Sequence, residues 1–281
     1  MKKGSILKNV LAGCLFLLGI AFLFYPAVGN YWNEQREKQL INTYEENVSE
    51  IAGQDFEALF AAARAYNEKQ KSNVIPDAFA AGENLTDEEY EGLLNYGGEG
   101  IMGILEIPAI DIRIPILHGT GEEALTKGAG HMEGSSLPIG GRGTHAAMAA
   151  HRGLPSSKLF TDLNLLREGD LFYIHVLDRV LTYEVDRILE VEPDETQYLK
   201  AEPEEDYVTL ITCTPYGVNT HRLLVRGSRV ETMSEETEIP QEPVRVSLTT
   251  NYFLNAVLAM AATAVIAVLI LVLTRKTKKT E

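Results

Sequence analysis

Two uncharged apolar runs bracket this chain and fix where everything else must lie. Residues 10–25 follow Lys2, Lys3 and Lys8, and residues 253–273 precede Arg275, Lys276, Lys278 and Lys279. A helix needs roughly 20 apolar residues to cross the hydrocarbon core. The second run meets that length, and the first meets it as 10–28 with its ends near the headgroups. Basic flanks favour the cytoplasmic side. The reading is therefore two transmembrane helices, with residues 1–9 and the basic tail 274–281 inside and the body on the extracellular face of the cell membrane.

Each run has a rival explanation. The first carries small residues at Ala27-Val28-Gly29, where a signal peptide would be cleaved; its length favours an uncleaved anchor. An apolar run with a basic tail also ends proteins destined for cell-wall attachment. Those carry an LPxTG-type pentapeptide upstream, whereas here the sequence reads Ile239-Pro240-Gln241-Glu242-Pro243. Away from the tails the body holds 18 basic against 39 acidic residues. Such a surface argues against nucleic acid as a partner, which wants a basic patch.

Between the runs the texture changes twice. Residues 30–71 read as a helical arm, with Leu40, Tyr44, Val48 and Ile51, then Phe56, Leu59, Phe60, Ala63 and Tyr66, spaced three and four apart and interrupted at Gly53. Residues 72–100 are rich in turn formers, with Thr86-Asp87-Glu88-Glu89 as a capping box for a short helix. Within 101–232, short β-rich runs at 104–107, 110–116, 171–176, 180–188, 207–212 and 222–230 alternate with Pro, Gly and Asp. Thr120-Gly121-Glu122-Glu123 suggests another capped helix, and 154–166 a further turn or two. The pattern is that of one mainly β domain, closed or nearly closed into a barrel, with short helical insertions. Residues 233–252 are a linker to the second run.

Cys213 is the only cysteine outside the apolar runs; Cys14 sits within the first and reads as a small buried hydrophobe. A lone thiol in an exported domain has no internal disulfide partner, and a redox role would need a resolving cysteine. A nucleophilic thiolate needs a base or a cation nearby. His175 falls in a strand, and His118 and His131 sit beside glycine-rich turns, so hydrogen-bonding roles are expected of them. His145 and His151 share the segment 144–153, and chemistry alone does not separate them. Arg222 lies at the start of the strand expected to pair with that of Cys213, with turn residues 214–220 between. Its planar guanidinium suits stabilisation of an oxyanion.

These residues carry a resemblance. The run TLITCTPYGVNTHRLLVRG (209–227) resembles the TLxTC signature of the sortases, and THAAMAAHRGLPSSKLFTDL (144–163) their histidine region. IMGILEIPAIDIRIPILHGT (101–120) and GHMEGSSLP (130–138) match in order, most closely to the class C branch that builds pili. The resemblance implies an eight-stranded sortase β-barrel. It assigns the catalytic histidine to His151 in the HRG motif, the nucleophile to Cys213 and the arginine to Arg222 rather than Arg226. His145 and Thr212 are expected in supporting positions.

Class C members share an N-terminal lid with an Asp-Pro-aromatic motif. Here the matching place is Asp77-Ala78-Phe79, with alanine where proline would fix φ. Asp77 is expected to pair with Arg222, and Phe79 to cover Cys213. No cofactor and no metal are expected, since neither EF-hand spacing nor a zinc-like histidine pair occurs. The implied activity is transpeptidation of LPxTG-like sorting signals onto pilin lysines. The implied partners are pilin subunits and, through two anchors, membrane lipid; the chain is expected to act as a monomer. A hydrolytic cysteine protease would use the same residues, and a non-catalytic assembly module would bury Cys213 as a core thiol.

Overall fold

A computed structural model of the chain describes residues 3–51, 56–70, 77–79, 88–154, 156–231, 244–245, 255 and 257–264. Its centre is a closed barrel of eight strands: β1 (Ile101–Ile107), β2 (Ile112–His118), β3 (Ala129–His131), β4 (Thr144–Ala149), β5 (Leu171–Val176), β6 (Arg179–Val191), β7 (Asp206–Thr214) and β8 (His221–Val230). Around the barrel the order is β1-β2-β3-β4-β7-β8-β6-β5. Closure removes the exposed sheet edges that would otherwise invite pairing with other chains.

Two of these strands are absent from the reading by β-propensity. β3 is three residues long, and β4 reads Thr-His-Ala-Ala-Met-Ala, an alanine-rich sequence with little β preference. Tertiary placement overrides propensity here. β4 lies between β3 and β7, runs parallel to β7, and is buried at all six positions. His131, expected in a loop, is in β3 with its side chain fully buried.

The N-terminal arm is continuous with the first apolar run as one helix, α1 (Lys3–Glu50), with Pro26 inside it. Among the described residues it is the one helix long and apolar enough to cross a membrane, and its apolar part is left unburied by the protein. α2 (Glu57–Gln70) follows and buries Phe60, Ala63 and Tyr66 against the barrel. Full burial of a side chain such as Phe60 is worth about 1.5–3 kcal/mol, so the arm is part of the core. Leu59, expected on the apolar face, is instead exposed, while Ile41 is buried against Ile101 and Ile104.

Helix α3 (Glu88–Gly92) presents Tyr90 to the core, where its hydroxyl contacts His131 Nδ1 at 2.9 Å. Of the capping box foreseen for it, residues 86 and 87 lie outside the described residues, while Glu88 and Glu89 form its first turn. α4 (Glu122–Lys127) has Gly121 at its N-cap, one residue after the Thr120 expected there. Of the second apolar run, residues 255 and 257–264 are helical and the rest lies outside the described residues. The linker meets the barrel through Arg245: its guanidinium grips Asp170 at 2.8 Å, and its backbone N–H donates to the Ala109 carbonyl at 2.8 Å.

Candidate active site

β7 and β8 pair antiparallel with Cys213 opposite Arg222, as the turn residues between them require. β4 runs parallel to β7 with Ala149 opposite Ile211. The chain then leaves β4 through Ala150, whose N–H donates to the Ile211 carbonyl at 3.1 Å. His151 follows immediately, so strand pairing brings His151, Cys213 and Arg222 to one end of the barrel.

Two side-chain bonds tie the segments that carry the histidine and the cysteine. The buried Thr212 hydroxyl donates to the Ala150 carbonyl at 2.8 Å, and Arg152 Nη1 donates to Thr214 Oγ1 at 3.0 Å. Among the described residues His151 Nε2 is screened from solvent and makes no hydrogen bond, and Glu122 Oε2 of α4 lies 3.5 Å from it.

His145 is not part of this cluster. Its ring is buried, with Nδ1 3.1 Å from the Lys200 carbonyl and Nε2 2.7 Å from Thr209 Oγ1. Burial pushes its pKa down to about 4, and that of fully buried His131 likewise to about 4. His118 is held by the carbonyls of Gly100 and Leu93, and His175 by Glu106 at 2.9 Å. Thr212 is bonded to the segment that carries His151, whereas His145 is bonded to Thr209 of β7.

The segment from Asp77 to Phe79 lies over the site. Asp77 accepts two bonds from Arg222, Nε–Oδ1 at 2.8 Å and Nη2–Oδ2 at 2.7 Å, in a fork-to-fork pair. Phe79 stacks obliquely on His151, with ring centroids 5.9 Å apart, and the Arg222 guanidinium lies 5.2 Å from its centroid. Ala78 is buried in an apolar patch with Met132, Val191, Leu199, Ile211 and Leu224.

Cys213 is partly buried and free. Its thiol pKa is raised, mainly by burial; the Arg222 charge opposes this and the Asp77 carboxylate adds to it. Asp77 thus occupies the Nε–Nη2 face of the Arg222 guanidinium. In this arrangement burial and the Asp77 carboxylate both favour the neutral thiol of Cys213.

Arg226 belongs elsewhere. It is paired with Asp186 at 2.6 Å and lies over the Tyr207 ring at 3.9 Å. Sequence reasoning missed Arg152 and Glu122 as neighbours of the site. Arg152 is adjacent to His151 in the chain, which is a usable signal. Glu122 is brought in only by the packing of α4, and nothing local in the sequence marks it.

Comparison with known proteins agrees with this geometry. Residues 105–230 match the Sortase domain family. Sortase C-1 from Actinomyces oris is 42% identical over 63% of this chain and 100% of that structure, with a TM-score of 0.60. A pilus-related sortase C of Group B Streptococcus is 40% identical over 66% of this chain and 95% of its own, with a TM-score of 0.62. Sortase A of Bacillus anthracis is 24% identical over 81% of this chain and 97% of its own. With its barrel matched over nearly the whole length of solved relatives at about 40% identity, the chain belongs to the sortase family of cysteine transpeptidases.

Proposed function

We propose that this sortase is a membrane-anchored pilus transpeptidase in which Cys213 is the nucleophile, His151 the acid–base and Arg222 the oxyanion donor. The observation that carries the reading is the pairing of Cys213 with Arg222 across β7 and β8, beside the end of β4 that delivers His151. The Cys213 thiolate attacks the Thr–Gly carbonyl of an LPxTG-like sorting signal, and the oxyanion collects against Arg222. Collapse of the intermediate expels the glycine amine, which takes a proton from His151, and leaves a thioester on Cys213. The neutral histidine then accepts a proton from a lysine amine of another pilin as that amine attacks the thioester. The product is an isopeptide bond, and Cys213 is released. The pilus-related relative supports pilin as the substrate class.

In this reading the Asp77–Phe79 segment is a lid that must withdraw before Arg222 can face substrate. Anchoring through residues 10–28 and 253–273 places the enzyme where exported substrates are themselves held by hydrophobic tails, which raises local concentration without new contacts. The test incubates the enzyme, wild type and Cys213→Ala, with a candidate pilin bearing its sorting signal, and resolves products by denaturing gel and mass spectrometry. A ladder with Lys–Thr isopeptide bonds that vanishes in the variant is the expected result. Cleavage with no ladder would replace polymerisation by hydrolysis or by transfer to another amine.

A further inference from the structure

The chain connections to both apolar runs meet the barrel at one end, and that end carries the site. By the strand pairings, the β1–β2 turn at Pro108–Ile110, the end of β4, the start of β5, the end of β7 and the start of β8 all lie together there. α1 runs alongside the barrel from this end to the other. Gly29 sits so close to Ser156 that a Cβ on it would lie 2.9 Å from the Ser156 Cβ. Asn33 Nδ2 donates to the Ser156 carbonyl at 2.7 Å, and Ser157 Oγ donates to Glu37 at 3.1 Å. Farther along, the Tyr44 hydroxyl accepts from the Leu177 N–H at 2.8 Å, in the β5–β6 turn at the opposite end. At 1.5 Å per residue, Gly29 to Tyr44 is a rise of about 22 Å, comparable with the height of such a barrel.

Among the described residues of α1, those before Gly29 are exposed or only partly buried. Tyr25, one turn lower on the same helix face, is 61% exposed, and Tyr31 and Trp32 are 61% and 71% exposed. Aromatic residues gather in this way at membrane–water interfaces. The second connection agrees. Arg245, eight residues before the run at 253, is bound to Ala109, Leu165 and Asp170, all at the same end. Tyr216 and Val218 of the β7–β8 loop also project there, 46% and 63% exposed.

We propose that the barrel stands on the bilayer with its active-site end against the lipid headgroups, so that segments 151–160 and 214–220 touch the membrane interface. The inference rests on reading the first apolar run as a retained anchor. The loop that touches Gly29 is closed on itself, since Phe160 N–H donates to the His151 carbonyl at 3.1 Å. Five residues of chain hold His151 within about 18 Å of Ser156, at the level where α1 leaves the lipid. A sorting signal whose hydrophobic tail is still embedded in the membrane therefore reaches Cys213 without extraction.

The test reconstitutes the full chain in vesicles of phosphatidylglycerol and a phosphatidylethanolamine carrying a photoactivated diazirine on its headgroup, and maps adducts by mass spectrometry. Adducts on 151–160 or 214–220, several-fold above those on 140–143 and 177–179 at the far end, are expected. Labelling of 29–32 with the far end equal to or above the site loops would overturn the orientation alone. Trp32 is the only tryptophan, so quenching of its fluorescence by brominated lipid reports separately on the anchor. A chain that neither floats with vesicles nor shows this quenching overturns the anchor and the orientation together.

Discussion

Thr212 donates its hydroxyl to the Ala150 carbonyl at 2.8 Å, joining the residue before Cys213 to the residue before His151. Two positions on, Arg152 and Thr214 make the matching bond at 3.0 Å. Cys213 and His151 are therefore each flanked on both sides by residues bonded across the same gap. Neither bond touches the reacting atoms; together they set the separation of the two segments.

Thr212→Val keeps the β-branched shape and deletes the donor, leaving the buried Ala150 carbonyl short of a partner. Such a loss costs about 1–3 kcal/mol. A lowered melting temperature and a reduced kcat are expected, with Thr212→Ser restoring both. Thermal unfolding and transfer kinetics on the three proteins check this. An unchanged kcat in the valine variant would show that the bond serves folding only.

The Asp77–Arg222 pair makes a prediction about the thiol. Cys213 is held above its ordinary pKa by burial first, with Asp77 adding to the effect and Arg222 opposing it. Asp77→Asn removes a negative charge and weakens the grip on Arg222, so the thiolate gains. The pH profile of iodoacetamide labelling should move to lower pH, and labelling at neutral pH should quicken severalfold. Phe79→Ala should quicken labelling through access, with a smaller displacement of the profile. If neither variant changes the rate, the segment does not guard the site.

Much of this was legible in the residues. The pairing of 207–213 with 222–230 followed from β-branched runs around a turn-rich loop, the resemblance singled out Arg222 rather than Arg226, and the structure has Arg222 opposite Cys213. The choice between His145 and His151 was not legible from chemistry, because both lie in one alanine-rich segment. Structure separates them by burial: His145 points between β7 and the Lys200 carbonyl, while His151 lies past the strand end. β4 itself was invisible to propensity, since its alanines are selected by close packing between strands rather than by backbone preference. The contact of Glu122 with His151 depends on a helix placed about thirty residues earlier in the chain, beyond the reach of any local pattern.

The two arginines of β8 should separate by kind of defect. Arg226 is bound to Asp186 and lies against Tyr207, on a part of the barrel away from Cys213. Arg226→Ala should lower stability by about 1 kcal/mol, as for a partly exposed ion pair, with kcat little changed. Arg222→Lys retains a charge but loses the planar fork. It should fold normally and lose about 10²–10³ in kcat, the scale for removing an oxyanion donor. Equal kinetic losses in the two variants would contradict the assignment of Arg222.

Docking of the arm should depend on pH through Glu37, which lies beyond the apolar run on α1. Its pKa is raised from 4.5 to about 7, chiefly by burial, with the Ser157 hydrogen bond pulling the other way, Glu34 adding to the rise and Lys38 opposing it. A carboxyl whose docked value exceeds its free value favours docking in its protonated form. That contribution is complete below about pH 4.5 and is lost as pH rises through about 7. Hydrogen exchange of the 156–160 amides, referred to the unstructured rate at each pH, should therefore show weaker protection at pH 8 than at pH 5. Glu37→Gln, uncharged throughout, should flatten that difference while keeping an acceptor for Ser157. If the variant retains the wild-type pH dependence, the titrating group lies elsewhere and Glu37 is not what couples the arm to the histidine loop.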